Sequence, residues 1–138
     1  MIAGPVSFFY AGLLGLLLIA LSARVVLARR RFRVHLGAGT EEGMQLAIRV
    51  QANFVEYAPF AVILLVIAEV QGLPEAAIHA AGIALVASRV LHAAGLSQSP
   101  GRSFGRFYGT AGTWLVILAL SAWLLWAATG AFRSPGSG

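Results

Sequence analysis

The residues best suited to chemistry lie together in one segment, which reads Arg-Val-Gln-Ala-Asn-Phe-Val-Glu-Tyr-Ala-Pro from position 49 onward. At about 100° per residue in a helix, Arg49, Asn53 and Glu56 fall on one face, and Gln51 points nearly the opposite way. The phenol of Tyr57 follows directly. The segment therefore offers a cation, two amides, a carboxylate and a hydroxyl. These groups point in different directions around the helix, so they can contact more than one neighbouring helix.

The apolar surroundings of this segment make its charges costly. An ionisable group inside a membrane-spanning helix costs about 2.5 kcal/mol or more, so it is a functional candidate by default. A structural alternative is an ion pair between Arg49 and Glu56, two turns apart, that holds helices together. That alternative explains only two of the five polar groups.

A second pair of candidates lies further along the chain. Arg89 and His92 are three residues apart, so they share a helix face. Arg89 could pair with Glu56 or with Glu42. His92 could act as an acid, a base or a hydrogen-bond donor. The alternative for His92 is an interfacial histidine that is hydrogen-bonded to the backbone.

The residue types exclude several kinds of site. All ten basic residues are arginine, so a lysine Schiff base is excluded. Without cysteine there is no disulfide, no thiolate metal site and no cysteine nucleophile. Three histidines without metal-ligand spacing predict no metal. The pI of about 11.1 would indicate nucleic-acid binding in a soluble protein, but the arginines flank apolar runs, so we expect none.

The elements that must position these residues are apolar helices. Of the 138 residues 59% are hydrophobic and 11% are charged, whereas soluble domains carry about 25% charged residues. The pattern predicts one all-α transmembrane domain, a four-helix bundle with antiparallel neighbours. The expected helices cover about 6–31, 41–70, 75–95 and 103–132, with Thr40 as the N-cap of the second helix and a disordered tail at 134–138.

The arginines also predict the orientation. The loops after the first and third helices lie on one side, and that side carries Arg29, Arg30, Arg31, Arg33, Arg102 and Arg106. The positive-inside rule places this side in the cytoplasm and both termini opposite. Arg31 and Arg33 suit membrane anchoring. Because consecutive helical residues point in different directions, at least one of Arg29 and Arg30 should face the polar stripe of the second helix.

Three stretches resemble one known family. The segment from Arg49 to Pro59 resembles the signature of the membrane-associated proteins in eicosanoid and glutathione metabolism, the MAPEG family. The run Ala28–Val34 is similar to the end of the first helix in its leukotriene-forming synthase. The stretch Arg89–Gly95 resembles the third helix of its bacterial members. The resemblance implies a homotrimer, here in a bacterial inner membrane, that binds glutathione as co-substrate between subunits near the cytoplasmic side.

The resemblance also implies roles for individual residues. The glutathione-binding residues would be Arg29, Arg49, Gln51, Asn53, Glu56, Tyr57, Arg89 and His92. An arginine near the start of the fourth helix would activate the thiol, and Arg102 and Arg106 both compete for that role, with Arg30 as a further catalytic candidate. The chain departs from the family at His92, where several eukaryotic members have tyrosine, and at Leu96, which replaces a second tyrosine.

The leading functional hypothesis is a microsomal-type glutathione transferase or peroxidase. Its partners would be further copies of itself, membrane lipid and a hydrophobic small-molecule substrate that arrives through the lipid. One alternative is a non-catalytic member of the same family that binds a lipid or another ligand. Another is a small proton-coupled exporter that uses Glu56.

Overall fold

Four long helices make up the protein in the computed structural model, which describes residues 5–98 and 103–133. The helices are α1 (Val6–Phe32), α2 (Glu42–Val70), α3 (Glu75–Gln98) and α4 (Phe104–Arg133). Each is long and apolar enough to cross a membrane. The predicted all-helical architecture with four spans is confirmed for the described part of the chain.

The helix ends differ slightly from the expected bounds. Arg33 adopts a left-handed φ of 56° and its N–H donates to the Arg29 carbonyl, so α1 ends at Phe32. The N-cap of α2 is Glu41, which makes no side-chain cap hydrogen bond, so the prediction for Thr40 is wrong. α3 continues to Gln98. The predicted disordered tail lies outside the described residues.

The helices are arranged around a central pair. α2 and α3 pack against each other, and each contacts both α1 and α4. Within the described ranges α1 and α4 do not touch. The buried stripe of α2 recurs every three or four residues, as a helix facing neighbours requires: Met44, Ala47, Val50, Phe54, Ala58, Ala61, Leu65 and Ala68.

α3 and α4 approach each other closely because glycines line their crossing. A Cβ on Gly95 would lie 2.8 Å from the Cα of Gly105, and a Cβ on Gly109 would lie 2.6 Å from the Cβ of His92. Both separations are far shorter than an ordinary van der Waals contact of about 3.5–4.0 Å. This crossing sets His92 of α3 against the first turns of α4.

The end of the bundle where α1 begins is held by polar contacts. The Glu69 carboxylate accepts hydrogen bonds from the backbone N–H groups of Val6 at 2.6 Å and Ser7 at 2.9 Å. The Tyr10 hydroxyl and His79 Nδ1 are 2.7 Å apart. His79 itself is exposed. These contacts tie α1 to α2 and α3.

Candidate functional site

The outward face of α2 carries an ion pair. Arg49 Nη1 lies 3.9 Å from Glu56 Oε1, and the two side chains are 63% and 49% exposed. The ion pair between Arg49 and Glu56, which the sequence suggested as a structural alternative, is therefore present. However, both residues belong to α2 and both are exposed, so the pair does not join one helix to another.

A second polar group, centred on Arg89 of α3, is buried inside the bundle. Arg89 is 2% exposed, and its Nη2 donates to Asn53 Oδ1 at 3.0 Å. Its Cζ lies 6.0 Å from the centroid of the Tyr57 ring. The Nε and Nη1 groups of Arg89 are buried and have no hydrogen-bond partner in the described structure. The suggested pairing of Arg89 with Glu42 or Glu56 is not formed.

Asn53 connects the buried and outward groups. It is half-buried, on the same face of α2 as Arg49 and Glu56. Gln51 and Tyr57 are also half-buried. α2 thus carries its polar groups from the surface of the bundle to its interior, within two turns.

Arg106, in the first turn of α4, is another cation of the candidate site. The backbone N–H of Arg106 donates to Ser103 Oγ at 3.2 Å, which caps the helix start. Arg106 is half-buried, between Gly105 and Gly109, so it lies in the part of α4 that packs against His92. His92 itself is 3% exposed. Arg102, the competing candidate, lies outside the described residues.

The paired arginines at the end of α1 have separate environments. Arg29 is half-buried, and its Nη1 donates to the carbonyls of Gly37 at 3.0 Å and Val34 at 3.5 Å. Arg29 therefore binds the loop after α1 and not the polar face of α2. Arg30 is exposed. It is the one of the two that faces outward.

Two outward grooves adjoin these polar groups. One, of about 780 Å³, is lined by Glu56 and Tyr57 of α2 and by apolar residues of α4. The other, of about 1110 Å³, is lined by Arg106 and aromatic residues of α4. Both include Trp114, whose ring lies 6.5 Å from that of Tyr57.

Trp114 was not among the residues predicted to take part in chemistry, yet its side chain lines both grooves. The α4 residues that line them recur at helical spacing: Phe104, Phe107, Tyr108, Ala111, Trp114, Leu115 and Leu118. That period was the available signal, but it does not distinguish a groove from a lipid-facing stripe.

The arrangement suits one polar molecule beside one apolar molecule. Guanidinium, amide and carboxylate groups on α2 can bind a ligand with charges of both signs. The grooves can take an apolar molecule that arrives from the lipid. No group of three or more His, Cys, Asp or Glu side chains suited to a metal occurs in the described ranges. Since the chain lacks cysteine, a thiol nucleophile here would come with the ligand.

Comparisons with known proteins agree with this architecture. The sequence profile of the family described as "MAPEG family" matches residues 7–126. The inner membrane protein YecN of Escherichia coli K12 is 37% identical over 121 residues, which cover 88% of this chain and 91% of that protein. YecN of E. coli O6:H1 strain CFT073 matches to the same extent. With four spanning helices, these relatives identify a multi-pass protein of the bacterial inner membrane.

Proposed function

The chain belongs to the MAPEG family, and on that basis we propose that it is a glutathione-dependent membrane transferase or peroxidase that acts on hydrophobic electrophiles. It assembles as a homotrimer in which neighbouring helices of each subunit run antiparallel. Glutathione binds between subunits near the cytoplasmic ends of the helices, where the arginine-rich loops lie.

The observation that carries this proposal is the exposed Arg49–Glu56 pair on a spanning helix. A charged side chain at the centre of a membrane-spanning helix costs about 2.5–3.5 kcal/mol. In a lone chain both groups would face lipid at more than a third of their surface. A neighbouring subunit together with a polar ligand would cover the pair, which supports a binding site at a subunit boundary.

The groups on α2 match the groups of glutathione. Glutathione has two carboxylates, an ammonium, two peptide bonds and a thiol. The guanidinium of Arg49 can bind a carboxylate through two parallel hydrogen bonds. Glu56 can accept from the ammonium, and the amides of Gln51 and Asn53 can pair with peptide or carboxylate groups. Arg30 is exposed at the end of α1, and in this proposal it contacts a ligand held by a neighbouring subunit.

Thiol activation falls to an arginine at the start of α4. A guanidinium beside the sulfur favours the thiolate over the thiol, and the thiolate is the nucleophile. Arg106, whose position is described, lines the larger of the two grooves; Arg102 remains its competitor. The thiolate attacks an electrophilic carbon, a sulfur–carbon bond forms, and the leaving group departs with its electron pair. The protein supplies position and charge.

Calorimetric titration of the detergent-purified protein with glutathione tests the binding step. Arg49→Ala should weaken binding about 30-fold, because a charge-assisted hydrogen bond is worth about 1.5–3 kcal/mol. Arg31→Ala is the matched control, since Arg31 is exposed and contacts the ring of Phe32 instead. We expect no change in affinity there. Absence of binding by the wild-type protein would refute the proposal.

A second candidate function is that of a non-catalytic family member that keeps the binding pocket. Leu96, which is 3% exposed, stands where several eukaryotic family members have a second tyrosine, so it offers no hydroxyl to a bound thiol. The ultraviolet band of the thiolate separates the two functions. A band that forms with glutathione and is lost in Arg106→Ala or Arg102→Ala supports catalysis. Glutathione binding without such a band supports the second function.

A further inference from the structure

We propose that Arg89 is a positioning residue, which holds the side-chain amide of Asn53 so that its NH2 group, and not its oxygen, faces the ligand. This inference rests on the proposed glutathione site on α2. It assigns Arg89 an action through Asn53 in place of direct contact with the ligand.

The chemistry of the two side chains determines the orientation of the amide. A guanidinium has five N–H donors and no acceptor. The branch of Asn53 that lies 3.0 Å from Arg89 Nη2 must therefore be the carbonyl oxygen. An amide that could otherwise be turned either way is thus fixed by a partner that can only donate.

Burial prevents Arg89 from reaching the ligand itself. The residue is 2% exposed, and its Nε and Nη1 atoms are inaccessible. It lies between α2 and α3, near the face of the Tyr57 ring. Packing on all sides restricts the guanidinium to one position, and a fixed donor is what holds a neighbouring amide in place.

The other branch of Asn53 remains available. Within the described residues the hydrogen bond from Arg89 is the only one that the Asn53 side chain makes. Asn53 is half-buried, and it shares the face of α2 that carries Arg49 and Glu56. Its NH2 group is therefore a donor aimed away from Arg89, with no partner among the described residues.

This orientation gives the site a polarity along α2. Arg49 and Asn53 both present donors, and Glu56 presents an acceptor. A ligand along this face needs carboxylate or carbonyl oxygens opposite the first two residues and an ammonium or N–H group opposite the third. The binding direction of glutathione follows: an oxygen, not a peptide N–H, lies opposite Asn53.

A double-mutant cycle on glutathione affinity tests the inference. Arg89→Gln lets the amide turn, because glutamine both donates and accepts, and we expect about tenfold weaker binding, equivalent to one hydrogen bond of about 1.4 kcal/mol. Asn53→Ala should lose about as much. The double variant should bind no more weakly than Asn53→Ala alone. Additive losses would show that Arg89 acts on the ligand directly or through its charge, and would overturn the inference.

Asn53→Asp tests the inference independently, in case Arg89→Gln does not fold. Asn53→Asp still accepts from Arg89, now as an ion pair, but presents only oxygens to the ligand. We expect it to unfold no more easily than the wild-type protein, yet to bind glutathione at least tenfold more weakly. Wild-type affinity in Asn53→Asp would overturn the inference.

The orientation can also be observed without ligand, because Asn53 is the only asparagine in the chain. Protein labelled with 15N-asparagine gives a single side-chain NH2 pair in a nuclear magnetic resonance spectrum. We expect that pair to shift or broaden in Arg89→Gln and to stay close to wild type in Arg89→Lys, which remains a pure donor. An unchanged pair in Arg89→Gln overturns the positioning role. If the NH2 pair responds in this way to the Arg89 variants but the wild-type protein binds no glutathione, the proposed function fails and the positioning of Asn53 stands.

Discussion

Replacing Gly109 with alanine tests the close crossing of α3 and α4, on which the position of His92 depends. The added Cβ would lie 2.6 Å from each of three atoms: the Cβ and backbone N of His92 and the backbone O of Ser88. Two of these atoms belong to the backbone, so no rotation of a side chain can make room. The helices must separate by about 1 Å to restore ordinary contact distances.

The structure indicates the size of the effect. Overpacking a well-packed contact costs about 1–3 kcal/mol. Separation of α3 and α4 also loosens the neighbouring contact between Gly95 and Gly105. We therefore expect Gly109→Ala to lower the free energy of unfolding by about 2–3 kcal/mol. His92 would move away from the first turns of α4, so glutathione affinity should fall as well.

Unfolding of the detergent-solubilised protein by titration with a denaturing detergent, followed by circular dichroism, measures the change. Gly12→Ala is the matched control, because a Cβ on Gly12, also within a spanning helix, meets no atom within 4 Å. The control should stay within about 1 kcal/mol of wild type, since only helix propensity changes. Equal stability of Gly109→Ala and Gly12→Ala would refute the reasoning about the crossing.

Two further effects follow from the contacts of single side chains. Glu69→Gln should destabilise the protein by about 1–2 kcal/mol in the same unfolding titration, because it removes a charge and one of two acceptors from the start of α1. Glu75→Gln, which loses only an exposed pairing with His79 at 3.7 Å, should change stability by less than about 0.5 kcal/mol; equal losses would contradict the role of Glu69. Trp114→Ala should raise the KM for an aromatic electrophile about fivefold at unchanged glutathione affinity, because an aromatic contact is worth about 1 kcal/mol; an unchanged KM would place the electrophile elsewhere.

The parts of the fold that depend on local pattern could be predicted from the sequence. Long apolar runs predicted four spanning helices, and helical periodicity brought Arg49 within reach of Glu56. The N-cap of α2 could not be predicted, because Glu41 takes that position without a side-chain cap hydrogen bond and so leaves no signal in its residue type.

Contacts between helices could not be predicted, because they depend on how one helix is rotated against another. The pairing of Arg89 with Asn53 needs the rotation of α3 against α2, and periodicity left Glu42 and Glu56 as alternative partners. The contact from Arg29 to the carbonyl of Gly37 depends on the path of a loop. Two positive φ angles in that loop, 67° at Gly37 and 59° at Gly39, determine the path, and no helical period encodes them.

The carboxylate of Glu69 has a consequence for the order of events during synthesis. The ribosome completes α1 long before it reaches Glu69, which lies 63 residues after Val6. Until then the first N–H groups of α1 have only water or lipid head groups as acceptors. The start of α1 therefore gains its protein acceptor only when α2 has entered the membrane beside it. Insertion of the two helices as a hairpin would bring the Glu69 carboxylate to the first N–H groups of α1 as both helices enter the membrane. A chain stopped before Glu69 would leave α1 without that acceptor.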